Sequence, residues 1–129
     1  MDFDEGLVKN RANFQSLTPL SFLSRSADVY KNKIAIIYGS EHITYEQFDI
    51  NVRRLASALI KTGIKKGDTV AIMAPNIPAF LEANFAVPMA GAVLNALNIR
   101  LDSRAIAFNL DHGECDLLLT DTGFSETIE

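Results

Sequence analysis

The spacing of apolar residues changes character at Gly67. Before it, apolar positions recur mostly at helical intervals; after it, short unbroken apolar runs take turns with helical ones. In LTPLSFLSRSADVY, Leu20, Leu23, Ala27 and Tyr30 fall on one face of a helix. Thr18 is placed to cap that helix, Pro19 suits its first position, and Leu17 is placed to staple onto Phe22. KIAIIYGSEHITY predicts a β-hairpin, two short strands around a turn at Gly39-Ser40. In TYEQFDINVRRLASALIKTG, Phe48, Val52, Leu55, Ala56 and Leu59 form one apolar stripe, and Arg53, Arg54 and Lys61 face elsewhere. Thr44 and Gln47 spell a capping box, with Ile43 placed to pack on Phe48. Gly63 supplies the left-handed residue that ends this helix, and Ile64 folds back on its last turn.

From Gly67 onward the order is strand, helix, strand, helix, strand. TVAIMA is a continuous apolar run, the pattern of a strand covered on both faces. Asn76 is expected to cap the helix IPAFLEANFAVPMAG. Pro88 removes one amide donor there and crowds the carbonyl of Asn84, which predicts a kink or an early end. AVLNAL is the next strand; Asp102 or Ser103 caps SRAIAFNLDHG, which stops at Gly113; DLLLTD is the third strand. Such alternation implies a parallel sheet with right-handed crossovers. The fold class is therefore α/β: a partial doubly wound parallel sheet of three strands in βαβαβ order. A helix, a β-hairpin and a capped amphipathic helix precede it. FSETIE reads as a helix start capped by Ser125 and one turn long, too short to stand alone. The sequence thus reads as the front part of something longer, with an N-terminal arm at 1–16 and a subdomain at 17–129 that is incomplete at its C-terminus.

Length and charge narrow the function classes. A chain of 129 residues is one domain at most, burying roughly two-thirds of its unfolded surface. Net charge is −4, and the 12 Lys and Arg are adjacent only at Arg53-Arg54 and Lys65-Lys66. That pattern lacks the basic stripe of a nucleic-acid binder and gives no membrane patch. Cys115 stands alone, without a disulfide framework or a thiolate set for zinc, and reads as a small buried hydrophobe at a strand start. No run reaches the ~18 apolar residues of a membrane span. MDFDEGLVKN is acidic where a secretory signal is basic and then apolar, so a cytoplasmic location is expected.

The strand-to-helix junction in GDTVAIMAPNIPAF occupies the place where nucleotide-binding proteins hold a phosphate. A phosphate cradle needs glycines, so that successive amides approach the oxygens in front of a helix N-terminus. Pro75 and Pro78 have no amide hydrogen, and Asn76 is expected to serve as cap; a weak anion site is the other reading. His42 lies beside the hairpin turn and His112 in the last turn of a helix, so the two histidines do not form a site. Asp102, Asp111, Glu114, Asp116 and Asp121 lie at helix or strand ends, where capping and solvation account for them in preference to a metal site. Arg100 in LNALNIRLD follows a buried strand, at the carboxyl end where open α/β sheets place ligands. Its planar fork of donors suits a phosphate. The alternative is an ion pair with a neighbour such as Asp102.

The span from about Leu17 to Asp121 resembles the N-terminal region of AMP-forming acyl-CoA synthetases, within the adenylate-forming enzymes. The resemblance rests on features in a fixed order. These are the Thr-Tyr capped helix, L-x-x-x-G-I-x-x-G-D-x-V-A-I from Leu59, the P-N-x-P turn at Pro75, G-A-V-x-x-x-L-N-x-R-L from Gly91, and a final strand ending in Asp121. The opening LTPLSFLSRSADVYKNKIAIIYG is most similar to the fatty-acyl-CoA ligase branch. The resemblance implies a two-step reaction. A carboxylic acid attacks ATP, with Mg2+ assisting, to give an acyl-adenylate and pyrophosphate; the thiol of coenzyme A then displaces AMP. It also implies a Ser/Thr/Gly-rich loop ending in Lys-Gly for the triphosphate, a later aromatic-Gly-x-Thr-Glu motif, and a lysine in a mobile C-terminal domain. None of the three occurs in this chain, where the only Thr-Gly pairs are Thr62-Gly63 and Thr122-Gly123.

The resemblance therefore covers about the first quarter of such an enzyme and stops before its chemistry. It implies a scaffold with no catalytic residue and no metal ligand, bordering the acyl and pantetheine tunnel. Arg100 is carried over as a contact to a coenzyme A phosphate. ATP, Mg2+ and coenzyme A are expected for the parent enzyme, and none is expected to bind tightly to these residues alone. The implied partners are the remainder of the ligase chain and a carboxylic acid substrate, with no nucleic acid and no membrane span. The open sheet edge predicts self-association. A free-standing, non-catalytic α/β binding module is the competing reading. A dinucleotide binder is disfavoured by the lack of a glycine fingerprint.

Overall fold

The structure, a computed structural model, describes Gly6 and residues 8–128. Most of the arm's first residues (1–5 and 7), including much of the acidic stretch, lie outside the described residues. Helix α1 (Pro19–Val29) opens with a reciprocal cap: Thr18 Oγ1 accepts from the Ser21 amide and Ser21 Oγ accepts from the Thr18 amide, each at 3.3 Å. The staple expected beside it is not closed, since Leu17 is 84% exposed. Strands β1 (Ile34–Tyr38) and β2 (Glu41–Thr44) form the expected antiparallel hairpin. Its two-residue turn is made possible by Gly39 at φ +58°.

Strand β2 runs directly into α2 (Tyr45–Lys61), whose Phe48, Val52, Ala56 and Leu59 are buried as the stripe predicted. Only half of the capping box forms. Thr44 Oγ1 accepts from the Gln47 amide at 3.2 Å, but the Gln47 side chain donates onward to Asn51 Oδ1 at 2.8 Å. At the other end Gly63 takes φ +104°, its amide reaches Ile60 O, and the Ile64 amide reaches Leu59 O. This paired closure satisfies the last carbonyls and buries Ile64.

The sheet has the order β4-β3-β5, all parallel: β4 (Val93–Ala96), β3 (Thr69–Met73) and β5 (Cys115–Thr120). Alternation along β3 splits its side chains between two layers. Val70 and Ile72 enter clusters with Leu59, Ala83 and Val87 from α2 and α3 (Pro78–Met89). Ala71 and Met73 enter a cluster with Ile106 and Leu110 from α4 (Ser103–His112). Helices thus cover both faces, as a doubly wound sheet requires.

Several expectations are corrected. The cap of α3 is Ile77, not Asn76, and no side chain bonds the helix start. The cause is Pro78, which holds the residue before it extended (φ −113°, ψ 163°), so the helix begins at the proline itself. Helix α3 runs through Pro88 to Met89, with Ala90 as its C-cap, so the early end expected at the proline does not occur. Strand β4 is an edge strand with Val93 55% exposed, not a buried one, and it stops at Ala96, four positions before Arg100. After β5 the cap is Asp121, whose Oδ1 accepts from the Gly123 amide at 2.8 Å and starts a 3-10 turn at Thr122–Phe124. Ser125 opens α5 (Ser125–Ile128) without capping it, because the chain is already coiled.

Candidate functional site

Strand β3 leaves the sheet toward the α2–α3 face, and its neighbour β4 leaves toward the α4 face. The chain diverges between their carboxyl ends and opens a crevice of about 420 Å3, lined by Ala74, Pro75, Asn76, Leu97, Asn98 and Ile99 among others. This is the position where open α/β sheets receive ligands. Arg100 stands one residue beyond Ile99, exposed, in the turn that leads to α4. Its backbone amide donates to Asn98 Oδ1 at 3.0 Å. The ion pair with Asp102 does not form among the described residues. Asp102 instead caps α4, Oδ1 accepting from the Ala105 amide at 2.8 Å.

The opposite wall of the crevice is Pro75, Asn76 and Phe80, from the junction that leads into α3. The Ile77 amide is taken by Pro75 O at 2.8 Å, the Phe80 amide by Ile77 O at 3.0 Å, and Pro78 has none. The junction thus lacks the run of glycines and successive free amides that a phosphate cradle needs. A second, apolar cleft of about 350 Å3 lies at the carboxyl ends of β3 and β5, lined by Leu55, Ile72, Ala74, Ile77 and Leu119 with Thr120 to Thr122 at its rim. Thr120 Oγ1 and the Asp121 amide both donate to Met73 O, which pins this rim to the central strand.

Residues 23–129 match the family model described as AMP-binding enzyme. The chain belongs to the AMP-binding enzymes. It is 48% identical over 128 residues to an acetate–CoA ligase of Humulus lupulus, covering 99% of this chain and 22% of that protein. With a peroxisomal acetate/butyrate–CoA ligase of Arabidopsis thaliana it shares 49% identity over 123 residues, 95% of this chain and 21% of the relative. Among solved structures, an o-succinylbenzoate coenzyme A synthetase of Bacillus subtilis in complex with ATP and magnesium ion superposes with a TM-score of 0.77 at 28% identity. It covers 81% of this chain and 29% of that one. The chain thus spans about a fifth of the length of the curated relatives it matches.

Within this share of an AMP-binding enzyme, the histidines, Cys115 and Asp116 do not line the crevice. His42 is exposed at the hairpin; His112 stacks on Phe108 with centroids 5.5 Å apart. No group of three or more metal-ligating side chains occurs among the described residues. Asp116 Oδ2 accepts from the Thr69 amide at 3.0 Å, tying β5 to β3. The half-buried Cys115 sulfur accepts from Asn95 Nδ2 at 3.3 Å, and the same amide nitrogen donates to Asn109 O. The sequence reading passed over Asn95 and Asn98. Their signal is a polar amide inside or just after an otherwise apolar strand. Among the described residues, two side chains titrate away from their ordinary range, and neither lines the crevice. Lys31 is raised by its hydrogen bond to Glu46 and then by that charge, and Arg53 likewise by Asp49. No described helix is long and apolar enough to cross a membrane. The cytoplasmic location expected from the sequence gains no support from the relatives, several of which are named peroxisomal.

Proposed function

We propose that residues 17–129, with the arm at 1–16, are the first subdomain of an AMP-forming acid–CoA ligase. The parent joins a carboxylic acid to coenzyme A through an acyl-adenylate, using ATP and Mg2+. The observation that carries this reading is near-half identity, over almost the whole chain, to ligases named for small acids. Those names favour a small carboxylic acid over a long fatty acid, and a peroxisomal setting as the alternative to a cytoplasmic one. The share of the work done by these residues is structural: a wall of two packed faces, with no amide cradle for phosphates and inactive alone. Arg100 is proposed to meet a phosphate of coenzyme A, supported by its exposure, by a guanidinium that forms no ion pair among the described residues, and by its place beside the crevice. Alone, the chain is proposed to self-associate through the outer edges of β4 and β5, which lack strand partners among the described residues.

The test is a chimera in which this chain replaces the matching segment of the Humulus lupulus acetate–CoA ligase. Acetate-dependent ATP–pyrophosphate exchange and acetyl-CoA formation are expected to persist. A folded chimera with neither activity overturns the proposal, as does robust exchange by the 129 residues alone. In the active chimera, Arg100→Ala is expected to raise the KM for coenzyme A by about tenfold, the equivalent of one weakened charge-assisted contact. Exchange should be unchanged; equal losses in both half-reactions would remove Arg100 from the coenzyme A site.

A further inference from the structure

We draw no further inference here: the strongest candidate, the apolar face where the outer edge of β1 meets the grooves on either side of Leu81 on α3, is interrupted by the register break at Ala35, and nothing in the structure shows what covers it.

Discussion

Strands β1 and β3 are both five-residue, mostly apolar runs, and they have opposite fates. IAIIY in β1 leaves Ile37 68% exposed, whereas in TVAIM of β3 every residue after Thr69 is buried. An apolar run states only that a strand tolerates burial; what covers it is decided elsewhere in the chain. Strand β3 has a partner on each edge and a helix layer on each face. Strand β1 has one partner, β2, and a broken register at Ala35. The difference separates the part of the molecule that holds the fold from the part that borders it.

The comparison breaks most sharply at Met73, which is fully buried among α4 residues. Met73→Ala is expected to cost about 2–5 kcal/mol by urea denaturation. A loss below about 1 kcal/mol would mean that the cavity collapses and β3 is not locked between layers. Removing the cap of the helix that covers this face, by Asp102→Ala, should cost about 1 kcal/mol. No change would show that packing on the sheet, not the cap, sets the start of α4. At the other end of that helix Glu114 holds φ +47°, unfavourable for a residue with a Cβ. Glu114→Gly is therefore expected to raise the melting temperature, with a gain of about 0.5–1 kcal/mol after the entropy of glycine is counted. The smallest effect belongs to β1: Ile37→Ala should stay within about 0.5 kcal/mol in the same denaturation experiment. A cost matching that at Met73 would erase the distinction between the two strands.

Local rules made much of this legible. Helix α2 runs from the cap at Thr44 to the left-handed Gly63, as its residues demanded, because both devices act within one turn of the helix end. The hairpin turn and the alternation of strands and helices were equally local. The misreadings have local and distant causes. At Asn76 a favoured capping residue lost to the constraint that Pro78 places on Ile77. At Gly113 the glycine closes α4 without a left-handed φ, and Glu114 takes that conformation. The edge position of β4 depends on strand order, which no stretch of residues spells out. For the candidate site, Arg100 was legible as a cation after a strand. The crevice beside it, and the Asn98 side chain that holds its amide, come from the packing of two connections.

Gly113 is in place for room. A methyl group on it would lie 2.7 Å from Asn95 Nδ2 and 3.0 Å from Asn109 O, the two atoms that join helix, edge strand and the start of β5. One added carbon would push the Asn95 amide off its bonds to Asn109 O and Cys115 Sγ and loosen the tie between the end of α4 and the edge strand β4. Position 113 thus sets how firmly the edge strand is riveted to its helix, at the end of the sheet away from the crevice.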